Sequence, residues 1–201
     1  MTSPLLWYVA RATGLTAMVL LSGTMALGLL TATRVSNRFW PRFATQELHR
    51  QVSLTTLVFL SGHVLSSVLD TYVHIGLAAV VVPFASPYKR AWVGVGAIAL
   101  DLLLAVAASS LLRARMSARS WRGLHWLVYL CWPMSLLHGF AIGTDMKLPW
   151  VDLLTLGCVG AVGAVGALRL LRRAAQRRHV GALPAVAARP RGVPVKHEAS
   201  C

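Results

Sequence analysis

Five long apolar stretches constrain the fold of this chain more than any other feature of its sequence. Each contains about 20 residues, the number a helix needs to cross the hydrocarbon core of a bilayer. The stretches span residues 5–31, 49–70, 91–112, 121–142 and 151–171. Because 56% of the residues are apolar and only 13% are charged, the composition is that of an integral membrane protein. We therefore expect an all-α membrane protein, a bundle of about five transmembrane helices.

The placement of the basic residues predicts how these helices are oriented. Sixteen of the 20 Lys and Arg residues lie in the connections after the first and third stretches or at and beyond the end of the fifth. Because cytoplasmic segments are enriched in Lys and Arg, we expect the amino terminus outside and the carboxyl terminus in the cytoplasm, as a multi-pass protein of a bacterial inner (plasma) membrane. The same placement accounts for the net charge of +14 without a nucleic-acid partner.

Four histidines lie in the second and fourth stretches, which run in the same direction in this topology. His49 and His63 are 14 residues apart, and His125 and His138 are 13 apart. Each gap is about four helical turns, or roughly 20 Å of rise. If the stretches are parallel, His49 lies level with His125 and His63 lies level with His138.

Two facing histidines at each of two depths could hold two stacked hemes. A neutral imidazole is a strong nitrogen ligand for heme iron, and ionisable side chains inside a bilayer are usually functional because they are costly. The alternative is that each histidine only hydrogen-bonds a neighbouring helix. Thirteen residues fall about 140° short of four full turns, and Pro133, between His125 and His138, could kink the helix.

A family resemblance supports the heme interpretation. The sequences that carry it are ELHR at 47–50, SGHV at 61–64, VPFASPY at 82–88, SWRGLHWLVY at 120–129 and LLHG at 136–139. Over about residues 5–172 the chain resembles the ferric reductase-like transmembrane domain family. That family includes the membrane part of ferric reductases and NADPH oxidases and the heme-binding membrane subunit of the bacterial methionine sulfoxide reductase system.

The resemblance implies which residues bind the cofactor. It assigns two b-type hemes, with His49 and His125 on the inner heme iron and His63 and His138 on the outer one. The methionine sulfoxide reductase subunit is most similar at His63, His125 and His138 and lacks a match to His49. The number of hemes is therefore two or one, and the full set of four histidines favours two.

The chain is expected to contain no flavin site. We divide it into a ferric reductase-like heme-binding transmembrane domain, 1–174, and a basic cytoplasmic tail, 175–201, which we expect to be disordered. A tail of this length cannot form a flavin- or nicotinamide-binding domain, and no G-x-G-x-x-G precedes a helix. Electrons must then come from a separate donor, either a flavoprotein or membrane quinol.

Three further ionisable residues are candidates for roles near the hemes. Arg11, in the outer part of the first stretch, could pair with a propionate of the outer heme or extend to the membrane surface. His74 could be an alternative ligand of the outer heme, a residue near the acceptor, or an ordinary interfacial histidine. Asp101 could pair with Arg11 or hydrogen-bond a histidine.

Two glycines beside the histidines, and two arginines, complete the candidates. Gly62 and Gly139 could let a flat macrocycle approach the backbone, although glycine is common in membrane helices. Arg50 and Arg122 could hold inner propionates, although the topology alone also places arginines there.

These observations predict a b-type cytochrome that passes electrons outward across the membrane. Its acceptor would be ferric iron, oxygen or a periplasmic reductase, and the chain would be a membrane oxidoreductase or its electron-transfer subunit. One alternative is a one-heme, quinol-linked membrane subunit of a periplasmic reductase. Another is a non-redox membrane scaffold or sensor whose histidines only join helices.

Overall fold

Helices account for nearly all of the regular structure in the computed structural model, which describes residues 4–32, 42–70, 75–143 and 148–181. Within those ranges there is no β-strand. The elements are α1 (Pro4–Ala32), α2 (Arg42–Leu69), α3 (Ala78–Val81), α4 (Arg90–Leu111), a 3₁₀ turn (Arg113–Arg115), α5 (Ala118–His125), α6 (Val128–Ile142) and α7 (Pro149–Gly181).

Four of these helices are long and apolar enough to cross a membrane. They contain the segments Leu5–Ala32, Phe43–Leu69, Arg90–Leu111 and Pro149–Arg177. The predicted all-α, multi-pass membrane architecture is thus confirmed, while the direction of the termini remains a prediction. Helix α7 continues to Gly181, into the predicted tail, and residues 182–201 lie outside the described ranges.

The fourth apolar stretch differs from the single helix that the sequence predicted, because a tight turn divides it into α5 and α6. In that turn the amide of Leu127 donates to the carbonyl of Leu124 at 3.0 Å. The amide of Tyr129 donates to the carbonyl of Trp126, also at 3.0 Å. This three-residue spacing is that of a 3₁₀ turn. Helix α6 has 15 residues and therefore rises only about 22 Å, less than the roughly 30 Å of a bilayer core.

Pro133 lies inside α6 and not at this break. The break separates His125, the last residue of α5, from His138 in α6. Because these histidines belong to different helices, their relative rotation is not that of 13 residues in one straight helix. The shortfall of about 140° calculated for one straight helix therefore does not apply to this pair.

Helix α1 is the centre of the bundle, since it packs against α2, α6 and α7, while α4 packs against α3, α5 and α6. Met25 and Leu29 of α1 form a buried cluster with Val162 of α7. The indole N–H of Trp132 in α6 donates to Ser22 Oγ of α1 at 3.0 Å. Since lipid provides little hydrophobic drive between helices, such packing and hydrogen bonds hold the bundle together.

The glycines of α7 have open space beside them in the described part of the chain. A Cβ built on any of them meets no atom within 4 Å; the residues are Gly157, Gly160, Gly163 and Gly166.

Candidate functional site

The four histidines form two pairs, each between α2 and the α5–α6 segment. The ring centroids of His49 and His125 are 6.4 Å apart, and their planes differ by 64°. The centroids of His63 and His138 are also 6.4 Å apart, with planes 81° apart. We refer to these as the His49 pair and the His63 pair. They are the same partners that the sequence spacing had predicted.

The helices that carry the paired histidines are not packed tightly on one another. Helix α2 packs along α1, whereas among the described residues it makes few contacts with α5 and α6. Each pair therefore bridges a gap between helices, and its imidazoles are the groups that extend into this gap.

Backbone carbonyls of neighbouring helices orient three of the four imidazoles. Nδ1 lies 2.7 Å from the Ala10 oxygen in His63 and 3.0 Å from the Thr24 oxygen in His49. In His138 it lies 2.8 Å from the Trp92 oxygen. Because a carbonyl can only accept, Nδ1 carries the proton in each ring. The lone pair of each neutral imidazole is then on Nε2, where it can bind a metal.

Each of these three rings lies against a glycine located four residues after the carbonyl that it contacts. A Cβ on Gly14 would stand 2.8 Å from His63 Nδ1, and one on Gly28 would stand 3.3 Å from His49 Cε1. A Cβ on Gly96 would overlap the His138 ring. We refer to each glycine and its carbonyl as a glycine notch; the missing side chain lets the ring reach the helix backbone.

The sequence analysis missed these glycine notches, although one signal could have found two of them. Gly14 and Gly28 on α1 are 14 residues apart, the same separation as His49 and His63 on α2. Two adjacent helices with matched spacings can make the same contact twice. The glycines that the sequence had suggested are different: Gly62 faces the side chain of Thr13 at 3.5 Å.

His125 is oriented in another way. Its Nδ1 is buried and has no hydrogen-bond partner among the described residues. Its ring stacks on Trp121, with centroids 5.0 Å apart and planes 24° apart. The guanidinium carbon of Arg113 lies 4.4 Å from the centroid of the Trp121 ring. The fourth histidine is therefore held by a three-part stack.

A cavity of about 380 Å³ surrounds the His63 pair. Most of its lining is aliphatic or aromatic, with Gly14, Gly96 and Gly139 among the lining residues. Gly139 has no heavy atom within 4 Å of a built Cβ, so it leaves open space beside His138. An apolar cavity with a few converging polar groups is the usual form of a cofactor site.

Arg11 and Asp70 also line this cavity. The guanidinium carbon of Arg11 lies 4.4 Å from the Trp7 ring centroid, and the residue is half-buried. Arg11 thus lines the same cavity as the His63 pair, and its pairing with a propionate stays a prediction. A half-buried cation in an apolar cavity can bind a carboxylate through paired hydrogen bonds.

The remaining candidates lie elsewhere or outside the described residues. Asp101 is half-buried in α4 and forms no hydrogen bond or ion pair with any part of the chain that the structure describes. The three hydrogen-bonded histidines use backbone carbonyls instead. Arg50 is exposed and pairs with Glu47 at 3.4 Å. The predicted roles of His74 cannot be compared with the structure, because His74 lies outside the described ranges.

The described residues place two imidazoles at each level. Within the described ranges, no group of three or more His, Cys, Asp or Glu side chains is arranged to bind a metal ion. A metal between either pair would therefore need further ligands from outside the part of the chain that the structure describes.

Comparison with known proteins gives one match. The family model described as ferric reductase like transmembrane component matches residues 13–136, more than half of the chain. This region contains three of the paired histidines and ends two residues before His138. No curated protein and no solved structure matches the chain.

Proposed function

Because this chain belongs to the family of ferric reductase-like transmembrane components, we propose that it is a b-type cytochrome moving electrons across the membrane through two bis-histidine hemes. The family points to electron transfer within a membrane. His49 and His125 would bind the inner heme iron, and His63 and His138 would bind the outer one. The chain's part is to hold, separate and shield these groups, while heme supplies the one-electron chemistry.

The equal separation within the two pairs is the observation that carries this proposal. An imidazole nitrogen lies about 2.0–2.1 Å from a bound first-row metal and roughly 1.1 Å from its own ring centroid. Two imidazoles on opposite sides of one metal ion therefore have centroids about 6.3 Å apart. Both pairs have 6.4 Å, a separation that matches two imidazoles on one ion.

The shortage of other ligands supports heme over a bare ion. Two histidines leave an ion such as zinc short of its usual four ligands, whereas a porphyrin brings four nitrogens in one plane. The small number of contacts between α2 and α6 among the described residues agrees with a flat group between them. With two histidines holding it, heme iron would be suited to electron transfer and not to binding oxygen.

Arg11 would hold a propionate of the outer heme, since it lines the cavity around the His63 pair. A propionate carboxylate is the one anionic part of heme, and guanidinium binds carboxylates in a bidentate manner. We propose His74 as a further candidate near the outer heme, on sequence grounds alone.

The membrane location that we propose, with its electron donor and acceptor, follows from the predicted topology. Residues 1–174 would form the membrane domain and 175–201 a cytoplasmic tail, in a bacterial inner membrane with the amino terminus outside. The chain would then be a membrane oxidoreductase or its electron-transfer subunit, fed by a flavoprotein or quinol. Its acceptor would be ferric iron, oxygen or a periplasmic reductase.

Heme content per chain tests this proposal directly. We expect protein purified after heme-supplemented expression to show a reduced-minus-oxidised b-type spectrum and about two hemes per chain. His49→Ala and His63→Ala should each remove about half of the heme, because each breaks one of two sites. Gln51→Ala, an exposed change on the same helix, is the matched control and should remove none.

Two other outcomes would change the conclusion. Colourless protein despite heme supply would refute the cytochrome and leave a scaffold or sensor. One heme per chain, unaffected by His49→Ala and lost in His63→Ala, would replace it with the one-heme subunit. The cavity around the His63 pair is the reason to expect that site to be the one retained.

A further inference from the structure

His125 differs from the other three histidines in what touches its Nδ1 edge. His49, His63 and His138 each donate from Nδ1 to a carbonyl and lie in a glycine notch. Nδ1 of His125 is buried without a hydrogen-bond partner in the described structure. The nearest glycine along the chain, Gly123, has no atom within 4 Å of a built Cβ, so it offers no notch.

What His125 has instead is the stack with Trp121 and Arg113. Trp121 is half-buried, and its indole N–H also lacks a hydrogen-bond partner among the described residues. Its ring instead contacts both of these neighbours. One face contacts the imidazole at 5.0 Å between centroids, and the guanidinium of Arg113 is 4.4 Å from the same ring centroid.

A stack and a hydrogen bond do not affect a ligand in the same way. Both fix the orientation of the imidazole ring. A hydrogen bond from Nδ1 also draws the proton away and makes Nε2 a stronger electron donor, which favours oxidised iron. A stack does not do this. A cation close to the stack acts in the opposite direction, since nearby positive charge favours the reduced, less positive metal.

We propose that Trp121 and Arg113 are positioning residues that hold His125 by stacking and give the His49 site a higher reduction potential than the His63 site. This inference depends on the proposed function, because it concerns hemes bound at both pairs. The His63 site has two hydrogen-bonded histidines, and the His49 site has one. Arg115, Arg119 and Arg122, all exposed near the stack, add charge of the same sign.

The charges beside the His63 pair do not reproduce this effect. Arg11 and Asp70 both line the cavity there, and their opposite charges offset each other. At the other end, Glu47 pairs with Arg50, which leaves the arginines around Trp121 as the local excess. In a redox titration the first electron taken up therefore resides at the His49 site.

Potentiometric titration with low-temperature EPR tests the inference on purified protein. His49→Ala and His63→Ala first assign each midpoint potential to its site, and the His49 site should be the higher. Arg113→Gln should lower that potential and leave the other unchanged. Trp121→Leu should broaden the low-spin signal of the His49 site and make part of its heme high-spin and able to bind carbon monoxide. Trp121→Phe should retain the wild-type signal.

Trp126→Leu is the matched control, because Trp126 is exposed and contacts Tyr129 but no histidine. The inference is overturned if the His49 site has the lower potential, or if Arg113→Gln and Trp121→Leu leave both potentials and both signals unchanged. If Trp121→Leu does not insert into membranes, Arg113→Gln and Trp121→Phe decide. Protein without heme would refute the cytochrome itself, whereas two hemes with unmoved signals would refute only this inference.

Discussion

Gly14 lies beneath the imidazole of His63 so closely that a methyl group on its Cα would stand 2.8 Å from Nδ1. The equivalent distance from Gly28 to the His49 ring is 3.3 Å. The two contacts have the same form but differ in how well they accommodate an added methyl group. Gly14→Ala requires a substantial shift of the ring, whereas Gly28→Ala requires only a few tenths of an ångström.

We therefore expect a graded loss of heme from alanine substitutions in the glycine notches. Gly14→Ala should remove most of the heme from the His63 site, about half of the total, because the displaced ring loses its carbonyl and its ligand geometry. Gly28→Ala should remove less. Gly160→Ala, exposed and open around its Cβ, is the control. Equal heme content in Gly14→Ala and Gly160→Ala would contradict this view of the notches.

Replacing Arg11 should weaken retention of the outer heme without removing its ligands. A hydrogen bond to a charged group is worth about 1.5–3 kcal/mol, so Arg11→Gln should speed heme transfer to apomyoglobin roughly 10- to 100-fold. Arg11→Lys keeps the charge but not the bidentate geometry, so its heme transfer rate should lie between those of the wild type and Arg11→Gln. The exposed Arg177→Gln serves as control. Heme transfer at the wild-type rate from Arg11→Gln would exclude a propionate contact.

The segment before α4 offers a test of packing around His138. Phe84 has a positive φ of 65°, and its ring lies against the buried Gly94, where a Cβ would overlap it. Gly94→Ala should lower the free energy of unfolding by about 1–3 kcal/mol through overpacking. In a Phe84→Ala background the same change should cost much less, because the obstructing ring is gone.

Thermal unfolding in detergent of the wild type, the two single variants and the double variant measures the coupling between Gly94 and Phe84. Heme content is a second readout, since Trp92, two residues before Gly94, supplies the carbonyl that orients His138. Val82→Ala, exposed on the same segment, is the control. Additive effects of the two substitutions would show that the ring contact does not determine the stability of this segment.

The direction of the termini can be tested with reporter fusions. We expect alkaline phosphatase fused after residue 201 to be inactive and a fluorescent protein at the same place to be bright, since the excess of arginine places that end in the cytoplasm. A phosphatase joined within the segment between α2 and α4 should be active. The reverse pattern would invert the assignment of inner and outer hemes and leave the two pairs intact.

The pairing of the histidines could be predicted because it depends on two simple quantities. Charge placement gave parallel directions for the second and fourth stretches, and near-equal gaps then matched His49 with His125 and His63 with His138. The structure brings those rings together. The stack of Trp121 on His125 was also within reach, since residues four apart on a helix are neighbours.

Other features depend on tertiary contacts that no single residue type signals. A glycine in a membrane helix is common, so Gly96 gives no sign that a histidine 42 residues away lies against it. The break between α5 and α6 occurs at Trp126 and Leu127, neither of which disfavours a helix. The proline that did suggest a kink lies six residues beyond the break and is accommodated within α6.

The two notches on α1 set the distance between the two histidine pairs along the bundle. Helix α2 contacts α1 at both notches. The two contacts are 14 residues apart on each helix, or about 21 Å of backbone rise. Substituting a side chain can weaken either contact but cannot change the distance between the two histidine pairs along the helix. Inserting one residue between the notches would instead rotate one of them about 100° away from its histidine. With hemes bound at both pairs as proposed, the distance between them would thus be set by the number of residues between the notches, which would make it resistant to point mutation and sensitive to insertion.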